Sequence, residues 1–247
     1  VEDDMYWAAC ELYITTGDTE YYDDLKSYSN SSDTTGDDKA FSITSNITGG
    51  ENNGSFSSFN WGCTAGLGTL SLYLNKDKIS ASEGASIDAS IKKIADKYID
   101  REEVEGMGIP YVGTTFSDPI NIGYEADGVT PKKIYGYEWG SNSFVINNAI
   151  VMAYAYLATG ENKYISGVST ALDYIFGRNG LGLSFVTGEG TYHTSRPHHR
   201  YWSYELDNTF PMAPDGVMSG GCGSGLQDPY VGGLGYERGE VPPQKCY

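Results

Sequence analysis

Tyr156-Leu157-Ala158-Thr159-Gly160-Glu161, followed by Tyr164, repeats in outline a stretch near the other end of the chain, Leu12-Tyr13-Ile14-Thr15-Thr16-Gly17-Asp18, followed by Tyr21. Both run from apolar residues through Thr-Gly-acid to a tyrosine three positions on. A glycine just past an apolar helical run takes a left-handed cap at little steric cost, so each stretch reads as helix, tight turn, next helix. Trp61-Gly62 and Trp139-Gly140 likewise each open an apolar run. Recurrent units of this kind bury their faces by stacking, which predicts an all-α ring or barrel of helical hairpins.

Apolar residues at helical spacing extend the pattern outward. Met5, Ala8 and Leu12 form one stripe; Leu67, Leu70 and Leu74 a second; Ile87, Ile91, Ile94 and Tyr98 a third. A fourth is Ile146, Ile150, Ala153 and Leu157, and a fifth is Ile165, Val168, Leu172 and Ile175. Each stripe is expected to face a core. Residues 21–28 add a shorter helix, and Gly177 is a further cap. Between the helices lie polar stretches, 29–60 and 102–137, and helical periodicity fades from Arg178 onward. Long ordered loops inside a compact domain usually carry function, so a helical scaffold bearing a loop-built binding face is expected.

Charge narrows the partners. With 33 acids against 16 bases the net charge is −17, which repels phosphate backbones and anionic lipids, so neither nucleic acid nor membrane is expected as a partner. No run of 18 apolar residues exists. Aromatics make up 13% of the chain and 21 residues are Tyr, whose flat faces and polar tips suit sugar rings as well as cores. The cysteines are Cys10, Cys63, Cys222 and Cys246, without the paired spacing of a zinc site. They allow three disulfide pairings; Cys222–Cys246, stapling a Gly-rich loop, is preferred, which leaves Cys10–Cys63 by elimination. Sequons at Asn30, Asn46 and Asn53 crowd one polar stretch, as expected of a glycosylated surface loop on an exported protein. The chain opens directly on Glu2-Asp3-Asp4 at a helix start, which suggests an element missing upstream.

All three histidines, His193, His198 and His199, lie in Ser184-Phe185-Val186-Thr187-Gly188-Glu189-Gly190-Thr191-Tyr192-His193-Thr194-Ser195-Arg196-Pro197-His198-His199-Arg200. A neutral imidazole donates one hydrogen bond and accepts one, and guanidinium offers five donors, so His-x-Arg on a loop can grip several hydroxyls. The plainer alternative is a loop held together by His and Arg contacts to backbone carbonyls. Metal binding is disfavoured because adjacent histidines rarely point the same way.

Ser-x-Val-Thr-x-x-Gly running on to Pro-His-His-Arg resembles the His-containing signature of family 9 glycoside hydrolases. The approach Leu172-Asp173-Tyr174-Ile175-Phe176-Gly177-Arg178-Asn179 and the helix start Trp139-Gly140-Ser141-Asn142-Ser143 resemble the same family. So does Asp3-Asp4-Met5-Tyr6-Trp7-Ala8-Ala9. The likeness runs from about Asp3 to Tyr247. Two departures stand out: Tyr192 occupies a place usually held by Asn, Lys or Arg, and Gly62-Cys63 follow Trp61 where acids are common.

The resemblance implies an incomplete (α/α)6 barrel, with residues 1–247 forming part of one catalytic domain cut at both ends. It implies a secreted cellulase that hydrolyses β-1,4-glucosidic bonds with inversion and needs no cofactor for chemistry. The catalytic Asp and Glu are expected outside the chain, which by itself is expected to be inactive. Within it, His198 matches the active-site histidine, and His198, Arg200 and Trp139 are expected to bind glucan. Asp3 and Asp4 match acids that ligate structural calcium in some relatives, and Trp7 and Trp61 are expected in the core. Glu138 and Glu189 border the expected cleft without matching a catalytic acid. The family commonly carries appended cellulose-binding or scaffold-docking modules. The rival reading is a non-catalytic carbohydrate-binding protein on the same scaffold.

Overall fold

The computed structural model describes residues 2–27, 57–111, 120–124, 126–134, 136–197, 199–224, 226 and 233–236. Among them the elements are α1 (Glu2–Thr16), α2 (Thr19–Ser27), α3 (Ala65–Leu74), a 3₁₀ turn (Lys76–Lys78), α4 (Ala81–Val104), β1 (Ile120–Tyr124), β2 (Pro131–Ile134), α5 (Ser141–Thr159) and α6 (Asn162–Ile175). The described residues group into two compact units, Val1–Glu103 with Asn147–Val168, and Val104–Ile146 with Ser169–Tyr247.

The two echoing stretches fold into the same turn. Gly17 and Gly160 are left-handed, with φ of 74° and 71°. Their N–H groups donate to the carbonyls of Tyr13 and Tyr156, both at 2.8 Å. In each copy the preceding threonine hydroxyl donates one turn back, Thr16 to Leu12 and Thr159 to Ala155, at 2.8 Å. The same oxygen then accepts the N–H of the following acid, Asp18 or Glu161, at 3.1 Å. Thr-Gly-acid is therefore a complete capping device that satisfies the orphan groups at a helix end.

In the first unit α1 and α3 approach closely. A Cβ on Gly68 would stand 3.0 Å from Cys10 Sγ and from the Trp7 Cα, so any larger residue would have to push the two helices apart slightly. Tyr6, fully buried, bonds its hydroxyl to Thr69 Oγ1 at 2.9 Å. The Cys10 thiol is free and buried in this seam, where burial pushes its pKa up to about 12. The Cys10–Cys63 disulfide expected by elimination is therefore not formed: Cys10 faces α3, while Cys63 pairs its backbone with Asn60 in a tight turn. Cys246 lies outside the described residues, and so does the Cys222–Cys246 pairing.

α4 starts with a capping box. Ser80 donates its N–H and hydroxyl to Glu83 Oε2 at 2.9 and 2.7 Å, and the Glu83 N–H returns to Ser80 Oγ at 3.3 Å. Its stripe of Ile87, Ile91, Ile94 and Tyr98 is buried, as the periodicity predicts. α6 crosses it at Gly167, where a Cβ would come within 2.6 Å of Ile99 and 2.9 Å of Met152.

Other stripes face the wrong way. Met5 and Leu12 on α1, Ile150 and Leu157 on α5, and Ile165 and Leu172 on α6 are exposed, and Leu74 is 61% exposed. The buried faces are instead Tyr6, Ala9 and Cys10 on α1, Phe144, Val145, Met152 and Ala155 on α5, and Tyr164 and Ala171 on α6; of these stripes' predicted members, Leu70 and Ile175 are buried as expected. Trp61, expected in the core, is 65% exposed.

The stretch 102–137, polar loop by its sequence, contains the end of α4 and an antiparallel hairpin, the one departure from an all-α chain among the described residues. Ile120 lies opposite Ile134 and Asn121 opposite Lys133, with an irregularity before Tyr124 opposite Pro131. Asp127 closes its turn, accepting the N–H groups of Val129 and Thr130 at 2.9 Å. The Thr130 hydroxyl and these amides hold the Asp127 carboxyl down at about 2. No described helix is long and apolar enough to cross a membrane.

Candidate functional site

The loop-rich second unit is built outward from the end of α6. Gly177 turns the chain at φ 124°. Asn179 then acts as a hub: its amide donates to the carbonyls of Tyr174 and Leu183 at 2.9 and 2.8 Å, and its oxygen accepts the Leu181 N–H at 3.1 Å. Arg178 reaches three backbone carbonyls, Met107, Gly108 and Thr170, at 2.8, 3.2 and 2.7 Å. These residues deliver the chain to Ser184 in a fixed direction.

From there the backbone pairs with two other segments. The Ser184 N–H donates to the Tyr192 carbonyl at 2.9 Å and the Thr194 N–H returns to Ser184 at 2.8 Å. On the other edge the Ser219 N–H donates to Phe185 at 2.8 Å and the Thr187 N–H to Val217 at 3.0 Å. Phe185 and Val186 point into the core, and Phe185 packs on Tyr174 with ring centroids 5.5 Å apart. Gly188 has φ 74°, and a Cβ on it would strike Asp215 at 2.3 Å, so the Gly-Glu-Gly turn is set by backbone geometry and by Asp215 together.

The segment 219–224 continues onto the start of α5. The Asn142 N–H donates to the Gly220 carbonyl and its side-chain amide to Ser219, both at 3.0 Å. The Ser224 N–H donates to Tyr137 at 2.8 Å, and the Tyr137 N–H returns to Ser224 Oγ at 3.1 Å. Beneath lies an aromatic cluster in which Tyr111 packs on Tyr137 and on Phe144, each at 5.4 Å. The Tyr137 hydroxyl donates to Glu105; burial first, then that carboxylate, raises its pKa.

Trp139 sits on this base, half-exposed at 48%. Glu138, beside it, is buried at 6%; its Oε1 accepts the Trp139 N–H at 2.8 Å and its own N–H donates to the Tyr111 hydroxyl at 3.0 Å. Its carboxylate is thus turned inward onto backbone. Glu189 is exposed on the Gly-Glu-Gly turn.

Of the histidine cluster, His198 lies outside the described residues. His193 Nδ1 accepts the Gly188 N–H at 3.1 Å, which ties the two ends of its own turn. His199 Nδ1 accepts the N–H groups of Tyr201 and Trp202, so both described histidines bind loop backbone through N–H groups, where carbonyl contacts are the expectation. Arg200 is exposed, and among the described residues no carboxylate pairs with it. Trp202 stacks on His199 at 4.1 Å. An exposed indole can stack on a ring, and an exposed guanidinium can donate to hydroxyls.

Asp3 and Asp4, in the first unit, converge on Thr64. The Thr64 N–H donates to Asp3 Oδ2 and its hydroxyl to Asp4 Oδ1, both at 2.8 Å, at the N-terminus of α3. Two carboxylates there complement the helix dipole. Calcium takes about six to eight oxygens. Among the described residues no three His, Cys, Asp or Glu side chains come together, and Asp3 and Asp4 here hold Thr64. Asn30, Asn46 and Asn53 lie outside the described residues.

Sequence hides the parts that hold the platform. Asn179 and Asp215 carry no chemical signature, although Asn179-Gly180 and Gly188-Glu189-Gly190 are turn-forming strings.

A model of glycosyl hydrolase family 9 matches residues 1–247. A cellulose 1,4-beta-cellobiosidase of Acetivibrio thermocellus is 38% identical over the whole chain, which covers 25% of that protein. Endoglucanase C of Cellulomonas fimi is 30% identical over 91% of this chain and 17% of that protein. Among solved structures, the Zn-binding triple mutant of GH family 9 endoglucanase J30 matches 98% of this chain and 36% of its own, with TM-score 0.67 and 25% identity. Unmodified J30 gives TM-score 0.68 at 24% identity, over 100% of this chain and 37% of that one. The chain thus spans about a quarter or less of these curated relatives. The fold expected from the sequence, an incomplete (α/α)6 barrel of helical hairpins, is the fold of these solved relatives. Matched by the family model over its full length, the chain belongs to glycosyl hydrolase family 9.

Proposed function

We propose that this chain is the scaffold and substrate-binding part of a secreted cellulase that hydrolyses β-1,4-glucosidic bonds with inversion. The observation that carries the reading is that the loop-rich second unit exposes both Trp139 and Arg200. The names of its relatives, a cellobiosidase and an endoglucanase, support a cellulose-type substrate. In this reading Trp139 stacks on a glucose ring, while Arg200 and His198 hold hydroxyls near the scissile bond. Export is supported by the crowded sequons at Asn30, Asn46 and Asn53.

Inversion requires an acid to protonate the leaving oxygen and a base to activate water, with carboxyls about 6.5–9.5 Å apart. The conspicuous acid beside Trp139 does not suit either role, because the Glu138 carboxylate is buried and accepts a backbone N–H. In keeping with the family resemblance, both catalytic carboxyls are assigned outside these 247 residues. The test is to assay the 247-residue chain by itself. It should bind cellohexaose and release no reducing sugar. Release of sugar by this chain would refute the assignment of the carboxyls, and absence of binding would refute the glucan platform.

A further inference from the structure

We propose that His199 is the positioning residue for Arg200, acting through Nδ1; this rests on the glucan-binding reading of Arg200 given above. The Tyr201 and Trp202 N–H groups both donate to His199 Nδ1, at 3.1 and 3.3 Å. A nitrogen that accepts from two N–H groups carries no proton, so the neutral ring keeps its hydrogen on Nε2. The imidazole also lies flat on the Trp202 indole, with centroids 4.1 Å apart and planes 27° from parallel. The side chain thus spans residue 200 and fastens to the two residues after it.

From the far side, Ser203 Oγ donates to the Arg200 carbonyl at 3.1 Å, and the Ser203 carbonyl in turn accepts the N–H groups of Leu206 and Asp207. Arg200 is held through its backbone by neighbours on the same loop, while its exposed side chain has no described carboxylate partner. That division of labour is what a gripping arginine needs. A long, rotamer-rich side chain binds better when its anchor is already fixed. The signature histidine expected to meet sugar is His198; the geometry gives His199 the separate task of shaping the turn.

The atom responsible can be identified by substitution. In His199→Asn the amide oxygen can stand where Nδ1 stands and accept the same N–H groups, as asparagine does in Asx turns. His199→Gln places its amide near Nε2 instead. Cellohexaose binding to the purified protein is measured by calorimetry for wild type, R200A, H199N, H199Q and H199Q/R200A. R200A should weaken binding about tenfold, as expected for loss of a hydrogen bond from a charged donor. H199N should stay within about twofold of wild type, H199Q should approach R200A, and the double variant should be no weaker than R200A, because both act through one contact. H199N as weak as H199Q, or H199Q as strong as wild type, overturns the proposal. If wild type does not bind, or R200A matches it, the glucan reading of Arg200 fails first and this inference falls with it.

Discussion

Three glycines share nearly the same left-handed backbone but differ in what surrounds them, which makes them a quantitative probe. Gly17 and Gly160 have φ of 74° and 71° and would offer an added methyl group open space, with nothing within 4 Å. Gly188, at φ 74°, would instead put a Cβ 2.3 Å from the Asp215 carboxylate and 2.7 Å from its Cβ. An L-residue in this region costs about 1–2 kcal/mol. Alanine recovers about 0.4–1 kcal/mol of that by restricting the unfolded chain. G17A and G160A should therefore each cost about 1 kcal/mol, and because the two turns are built alike the costs should agree. G188A carries the same backbone cost plus an overpacking cost of about 1–3 kcal/mol, about 2–4 in all. The excess should vanish in G188A/D215G, where nothing is left to strike. The assay is native-state hydrogen exchange, read as the opening free energy of the peptide that carries each turn. A G188A penalty equal to that of G160A refutes the placement of Asp215 over the turn. Unequal costs at Gly17 and Gly160 refute the equivalence of the two hairpins.

Tyr98→Phe removes the partner of the buried Ser58 hydroxyl, which lies 2.7 Å from the Tyr98 oxygen, and should cost about 1–3 kcal/mol in urea unfolding; a neutral result means the hydroxyl is satisfied elsewhere. Glu83 is held at about 2: burial opposes ionisation, but bonds from Tyr22 and Ser80 outweigh it. Because its folded pKa is depressed, its stabilising effect is full above the ordinary carboxylate value of 4.5 and is lost as pH falls toward 2, so E83Q should cost most stability at neutral pH, least near pH 2, and flatten the acid limb between them. Cys10, buried with its thiol pKa pushed up to about 12, should resist alkylation in the native protein and react only on unfolding; a peptide map with a Cys10–Cys63 cross-link refutes the placement of Cys10.

What the sequence makes legible depends on how one-sided each element is. α4 has one apolar face, and the stripe of Ile87, Ile91, Ile94 and Tyr98 that periodicity picks out is the face that is buried. α1, α5 and α6 carry apolar residues on two faces, so periodicity locates the helix but does not choose the buried side; it favours the larger aliphatic stripe, whereas Tyr6, Phe144 and Tyr164 are inside. Helices stacked in hairpins have neighbours on more than one side, and two-faced composition is what that architecture demands. The hairpin at 120–134 escapes a reading by periodicity although Asp127-Gly128 is a strong turn signal, because its short strands lack a clean alternation. The same logic governs the site. Trp139 and Arg200 are legible because their chemistry is at the side-chain tip. Asn179 acts on backbone groups, and so does Glu138, whose buried carboxylate accepts the Trp139 N–H. An acid's role here follows from which way its oxygens face, and the backbone beneath Glu138 is held by the Tyr111 hydroxyl, on a residue distant from it in the chain.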